Sequence, residues 1–396
     1  MEIGVVGKPN VGKSTFFSAA TLAPAEIASY PFTTIEPNRG VAYVKIECPH
    51  SELGTLCNPR NAPCENGTRL VPIELLDVAG LVPDAHAGKG LGNKFLDDLR
   101  QASALIHIVD ASGGTDFEGN PCEIGKHDPV EDVRFLEIEV SHWIKNLLEK
   151  DWQKIARQSQ YEGKSLEKLL HSKFTGLGFS ELQIREALKD SELPEKPVEW
   201  TEEELLNLAD NLRRRGKPMI LAANKSDIAP KENIKRLQKM ESYITIPTSA
   251  EFELALRRAA KAGFVDYSIG SNRFSIIDPS KLNEAQLKGL KHIEEILPKI
   301  GTTGVQRCIE KAAFELLNLI IVFPVEDENK YTDHDGNVLP DAYLVPRGST
   351  ARDLAYKVHT DLGENFIRAI NARTKRVIGA DHQLENGDVV TIIARA

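Results

Sequence analysis

The chain has 396 residues, enough to form two or three domains around sizeable cores. Charged residues make up 27% of it and the formal net charge is −9, which argues against broad non-specific nucleic-acid binding but leaves room for a local basic face. No apolar run reaches the length of a membrane span, so no membrane partner is expected. Five cysteines, an odd number in a long chain, point to a reducing compartment.

The first element is a short apolar strand, Met1-Glu2-Ile3-Gly4-Val5-Val6, followed by Gly7-Lys8-Pro9-Asn10-Val11-Gly12-Lys13-Ser14 and a helix opening at Thr15. Strand, glycine-rich loop and helix in this order form the context of a phosphate-binding loop. Gly7 and Gly12 let the backbone curl so that successive N–H groups converge on one phosphate, and the helix N-terminus favours anions. Gly7, Asn10, Val11, Gly12, Lys13, Ser14 and Thr15 are therefore candidate phosphate-binding positions. Lys13 would reach the β- and γ-phosphates, and the Ser14 hydroxyl would ligate Mg²⁺. This loop begins too early for a signal peptide to precede it, and a cytoplasmic protein is the expectation.

Tyr30-Pro31-Phe32-Thr33-Thr34-Ile35-Glu36-Pro37-Asn38 reads as an ordered loop before a strand at Gly40–Ile46. Thr34 is the candidate second hydroxyl on Mg²⁺. Ile73–Gly80 is a buried-strand pattern ending in Asp77-Val78-Ala79-Gly80, a Walker-B arrangement in which Asp77 holds the metal shell and the Gly80 N–H senses the γ-phosphate. Gly88, Gly90 and Gly92 then punctuate a segment suited to ordering with ligand, before a helical run at Asn93–Arg100.

Between these motifs, Cys48, His50, Cys57 and Cys64 lie in a loop-like insert. They could close a tetrahedral zinc site, but no Cys-x₂-Cys pair is present, so reduced, unliganded thiols are the expectation and a metal assay decides. Ala104–Asp110 is a continuous apolar strand, where His107 reads as a strand histidine rather than a catalytic base. His86 and His127 carry no assigned role. From Val130 to Arg215 helical periodicity dominates, as in Phe135, Ile138, Trp143 and Leu147, and predicts a helical insertion. Arg213-Arg214-Arg215 could meet RNA, or could simply be the cations a helix C-terminus favours.

The strand Met219–Ala223 leads into Asn224-Lys225-Ser226-Asp227. A carboxylate at Asp227 can accept from both N1–H and the N2 amine of guanine, a donor pair that adenine lacks. Asn224 would contact N7 and tie to the phosphate loop, with the Lys225 stem along the ring face. After the strand Ile244–Pro247, Thr248-Ser249-Ala250 would place the Ala250 N–H on guanine O6. Each element falls at the C-terminal end of a predicted strand, as expected for a ligand cleft on an α/β, doubly wound and mostly parallel sheet of the P-loop NTPase type.

Together, Gly7–Ser14, Tyr30–Asn38, Asp77–Leu81, Asn224–Asp227 and Thr248–Ala250 resemble an Obg-related GTPase. Thr34–Asn38 and Gly90-Leu91-Gly92-Asn93-Lys94-Phe95 are similar to its YchF branch. Members of that branch tend to have degenerate base motifs and prefer ATP, whereas Asn224–Asp227 is intact here, so GTP is expected. Leu81 stands where Ras-like GTPases carry the glutamine that positions water, which implies slow intrinsic hydrolysis. Asn10 resembles the asparagine of GTPases that bind K⁺ beside the phosphates, and K⁺ stimulation is the corresponding expectation. Catalytic roles thus fall to Lys13, Thr34, Gly80 and Asn10, and metal ligation to Ser14, Thr34 and Asp77.

In the last third, helical runs broken by Pro298 and Gly301 lead to strands at Leu319–Val325 and Leu339–Val345. A helix at Thr350–Leu362 and short strands at Phe366–Ile370 and Val389–Ile393 follow, the pattern of a β-grasp unit. Val345–Asp353 and His359–Gly363 resemble the TGS domain, which implies docking to RNA or the ribosome; Arg368, Arg373, Lys375 and Arg376 would contribute. The expected organisation is a GTP-binding domain at 1–130 and 216–270, a helical insertion at 131–215, a helical linker at 271–318 and a TGS β-grasp domain at 319–396. A monomeric GTPase switch linked to translation is the leading reading. The alternatives are a non-catalytic ribosome or RNA adaptor with nucleotide as a structural ligand, and an ATPase of the same family.

Overall fold

The computed structural model describes residues 1–22, 38–78 and 92–395, with backbone alone at 92–94, 96 and 97. Thr34, Gly80, Leu81, His86, Gly88 and Gly90 lie outside the described residues.

The phosphate-loop region opens as foreseen, with strand β1 (Glu2–Val6) and helix α1 (Lys13–Thr21) on either side of the glycine loop. Strand β2 (Arg39–Glu47) leads into a short helix α2 (His50–Leu53) and a hairpin of β3 (Cys64–Glu65) with β4 (Thr68–Asp77). Helix α3 (Gly92–Gln101) runs directly into β5 (Ala102–Asp110). Five helices then follow: α4 (Pro129–Glu149), α5 (Trp152–Glu162), α6 (Leu166–Phe174), α7 (Glu181–Asp190) and α8 (Glu202–Gly216). Local chemistry starts them. Asp128 caps α4 before a proline in its first turn, and Ser180 and Thr201 form capping boxes with Gln183 and Glu204.

The chain returns through β6 (Met219–Asn224), α9 (Lys231–Gln238), β7 (Thr245–Pro247) and α10 (Ala250–Lys261). A two-stranded ribbon of β8 (Val265–Asp266) and β9 (Ser275–Ile276) precedes α11 (Glu284–Ile300) and α12 (Val305–Lys311). Pro298 is accommodated within α11, and the break comes at Gly301 with φ 85°. The last segment holds β10 (Leu319–Val325), β11 (Tyr343–Pro346), α13 (Ala351–Val358), α14 (Thr360–Glu364), β12 (Phe366–Asn371), β13 (Arg376–Ile378) and β14 (Val389–Ala394). The single helix expected over Thr350–Leu362 is two. His359 is extended (φ −158°), and its ring accepts from the Asp361 N–H, so it ends one helix and caps the next.

The main sheet runs β2-β4-β1-β5-β6-β7, with β3 paired to β4. The pairs β1–β4, β1–β5, β5–β6 and β6–β7 are all parallel. The second sheet, β11-β10-β14-β12-β13, places β10 parallel to β14 between antiparallel neighbours, and α13 covers it through Leu354 and Ala355. The chain divides into two compact units. Of the described residues, the first holds 1–22, 38–40, 74–78 and 92–308, and the second holds 41–73 and 309–395. In the first unit one buried cluster continues from Val6, Leu76 and Leu105 of the sheet through Trp143, Ile144 and Leu208 of the helices. In the second, the Cys48–Cys64 insert and the C-terminal strands belong together.

No described helix is long and apolar enough to cross a membrane. The three arginines closing α8 serve the fold. Buried Arg213 bonds Asp210, Ser141, Tyr243 and Glu137, Arg214 pairs with Asp210, and Arg215 pairs with Glu186 and Asp190. In the C-terminal sheet, Arg373 meets Glu52, and Lys375 donates to the Glu328 carbonyl and lies 5.6 Å from the Tyr331 ring centre. Arg368 and Arg376 are exposed.

Candidate functional site

The C-terminal ends of β1, β4, β6 and β7 all open on one edge of the parallel sheet, where a doubly wound fold binds its ligand. At the first of these, Gly12 has φ 92° and caps α1, whose first turn carries no acidic side chain. The first turn thus offers no carboxylate of its own to the positive end of the helix. Ser14 is exposed at this end of the helix. Lys13 Nζ forms an ion pair with Asp77 Oδ1 at the end of β4. Lysine and aspartate, expected to hold phosphate and Mg²⁺, therefore meet each other directly. The Asp77 N–H donates to the Asn38 carbonyl at 2.7 Å, which places Asn38 beside the end of β4.

Asn224 joins the base motif to the phosphate loop. Its Nδ2 donates to the Val11 carbonyl (2.8 Å), and its Oδ1 accepts the Ala250 N–H (3.0 Å). The tie to the loop is the expected one. The Ala250 N–H, expected on guanine O6, is here directed to Asn224. Contact between Asn224 and the loop is close enough that a Cβ on Gly12 would lie 2.3 Å from Nδ2. Lys225 Nζ donates to the Asn10 carbonyl (3.0 Å) and pairs with buried Asp110 (2.7 Å), an ion pair the sequence reading did not anticipate.

Asp110 itself accepts from Ser112 and Thr115, so the carboxylate at the end of β5 organises the turn that follows. Asp227 is half-buried, and its carboxylate has no hydrogen-bond or ion-pair partner among the described residues. The Ser249 hydroxyl is buried and also unpartnered there. The β6 and β7 loops are sewn together by Ser226 N–H to the Thr248 carbonyl (3.0 Å) and Thr248 N–H to Ser226 Oγ (3.1 Å).

Two further features were missed. Lys8, a variable position of the motif, is buried, and its Nζ donates to the Thr115 and Asp116 carbonyls and to Asp132 Oδ1 (2.9 Å). His127 Nε2 lies 2.8 Å from the same oxygen, and burial raises the Asp132 pKa. The segment after β5 also covers the loop: Asn10 Nδ2 donates to the Gly119 carbonyl (3.0 Å), and Gly119, at φ 88°, approaches so closely that a Cβ would lie 2.7 Å from the Pro9 oxygen. The Asp116-x-x-x-Asn120 spacing, which closes that turn through Asp116 Oδ1, was its only signal in the sequence. His107 is buried in β5 with Nδ1 unpartnered, and burial with the nearby Lys8 charge lowers its pKa to about 3. It is a neutral core histidine.

Fold and site together define a P-loop GTPase fold with a C-terminal β-grasp domain. Three family models match: "50S ribosome-binding GTPase" over residues 2–150, "Obg-like GTPase YGR210-like, G4 motif-containing domain" over 222–327, and "TGS domain" over 330–394. A GTP-binding protein of Methanocaldococcus jannaschii is 57% identical over 100% of this chain and 99% of its own, and one of Schizosaccharomyces pombe is 37% identical over 98% and 94%. The chain belongs to the YchF-like family of Obg-related GTPases. A crystal structure of a GTP binding protein from Pyrococcus horikoshii OT3 superposes with TM-score 0.80 at 45% identity, covering both chains completely. At 28% identity over 98% of each chain, the Bacillus subtilis relative is named a ribosome-binding ATPase, YchF.

Proposed function

We propose that the protein hydrolyses GTP to GDP and phosphate and acts as a switch read by the ribosome or an RNA. The observation that carries the guanine assignment is the half-buried Asp227 carboxylate, which has no partner among the described residues, three positions after the Asn224 bridge to the phosphate loop. In this reading the phosphate-loop amides and the α1 N-terminus bind the triphosphate, and Lys13 leaves Asp77 for the β- and γ-phosphates. The exposed Ser14 hydroxyl and the freed Asp77 carboxylate form an oxygen donor set that fits Mg²⁺, which when bound neutralises phosphate charge. Thr34 and Gly80 would complete the γ-phosphate contacts, and water attacks in line. Asn10 with K⁺ would supply the charge stabilisation that Leu81 cannot. The names of the relatives support ribosome docking, and the TGS unit is the surface proposed for it.

Leu81 favours one rival, an adaptor that holds nucleotide without turnover. Single-turnover hydrolysis with and without ribosomes separates the two, since a rate no faster than free GTP would leave only the adaptor. For base choice, Asp227→Asn removes a carboxylate that accepts two hydrogen bonds. GTP affinity should fall about a hundredfold, equivalent to about 3 kcal/mol, while xanthosine triphosphate binding appears. Equal GTP binding by the variant would remove Asp227 from the base site, and ATP binding as tight as GTP would favour the ATPase.

A further inference from the structure

Outside the nucleotide cleft, the four residues of the cysteine insert converge. Cys48 follows β2, His50 opens α2, Cys57 lies in the loop after it, and Cys64 begins β3. One ligand atom from each falls within 4.8 Å of all the others. Cys48 Sγ is 3.9 Å from Cys57 Sγ, and Cys64 Sγ is 3.7 Å from His50 Nδ1. With Zn–S of about 2.3 Å and Zn–N of about 2.0 Å, a regular tetrahedron has edges of about 3.8 Å between sulfurs and about 3.5 Å between sulfur and nitrogen. These two spacings are close to those edges, and no disulfide joins any of the thiols.

A second observation comes from Arg69. It is fully buried, and its guanidinium bonds the Ala62 and Leu339 carbonyls (2.9 and 2.7 Å) and Cys48 Sγ (3.5 Å), with the Phe323 ring 5.7 Å away. Its Nε has no partner, and none of these contacts is a carboxylate. A buried cation without an anion is strongly unfavourable. Three thiolates and a neutral imidazole around Zn²⁺ carry one net negative charge, the counter-charge that Arg69 does not find in a carboxylate among the described residues.

We infer that Cys48, His50, Cys57 and Cys64 form a structural zinc site whose charge Arg69 balances. All four protein ligands are supplied, so no position remains for water and the role is structural rather than catalytic. The loop it would close has little regular structure, yet it holds the C-terminal segment of the same unit. The Asn58 and Arg60 N–H groups donate to the Val338 and Pro340 carbonyls (2.8 and 2.7 Å), and Asn61 exchanges hydrogen bonds with both backbone groups of Ala342. Zinc would thus fix the loop on which the Val338–Ala342 segment rests.

The test is elemental analysis of the full chain, purified without chelator or immobilised metal. One zinc per chain is expected. Cobalt substitution should give the intense visible bands of a tetrahedral thiolate complex. Cys57→Ser and Cys64→Ser should each lose the metal, Cys122→Ser, whose thiol lies outside the cluster, should keep it, and Arg69→Met should weaken retention 10–100-fold. Zinc-free protein with four reactive groups titratable as free thiols and imidazole would overturn the assignment. So would iron in place of zinc, or a Cys48–Cys57 disulfide found by mass spectrometry.

Discussion

Gly12 is the residue on which phosphate loop and base motif both depend. Its φ of 92° is a region where an L side chain is strained, and a Cβ would lie 2.3 Å from the Asn224 amide. Gly12→Ala should therefore cost more than backbone strain, because it drives Asn224 off the Val11 carbonyl. Gly54→Ala is the matched control, since φ there is 65° with nothing within 4 Å of the added carbon. The control should lose about 1 kcal/mol in urea unfolding and keep nucleotide affinity. Gly12→Ala should lose about 2–3 kcal/mol and at least tenfold in affinity. Equal losses in the two variants would mean that the Asn224 contact contributes nothing.

At the scale of elements, β5 shows what the sequence could and could not disclose. Its apolar run was legible, as were β1, β6 and the C-terminal half of β4, because apolar runs and flanking glycines mark such strands without tertiary information; the start of β4 at Thr68, five residues before the run that was read, was not. The motifs at their ends were legible for the same reason, each being a local signature. Lys8 was not. Its partner Asp132 is 124 residues away, and nothing in the motif distinguishes a buried lysine from a solvated one. The Lys225–Asp110 pair shares that cause, since its two partners are 115 residues apart.

His107 makes β5 measurable. Burial and the Lys8 charge lower its pKa from 6.5 to about 3, so the unfolded chain takes up a proton that the folded one refuses. Its contribution is fully present above pH 6.5 and is lost as pH falls toward 3. The raised Asp132 pKa works in the opposite direction, so the net slope does not isolate the histidine. His107→Gln should flatten the fall in unfolding free energy between pH 6.5 and 4.5 by up to one proton's slope. An unchanged slope would place its proton affinity near that of a free imidazole.

For the whole molecule, all described groups assigned to the nucleotide lie in the unit that holds 1–22, 38–40, 74–78 and 92–308, while the cysteine cluster lies in the other. Anything that binds only folded protein stabilises it by mass action, by about 2.7 kcal/mol at a hundredfold excess over Kd. A chain of this size should then melt a few degrees higher with GDP and Mg²⁺. ADP at the same concentration should move the transition much less, because only guanine presents the donor pair that Asp227 can accept. In Asp227→Asn the difference between GDP and ADP should vanish, leaving the shift contributed by the phosphates alone. Chelation of the proposed zinc should lower stability whether or not GDP is present, because its ligands belong to the other unit. Were ADP to raise the melting temperature as far as GDP in the unaltered protein, the phosphate loop would still stand as a nucleotide site, but the base would have to be read by something other than this carboxylate.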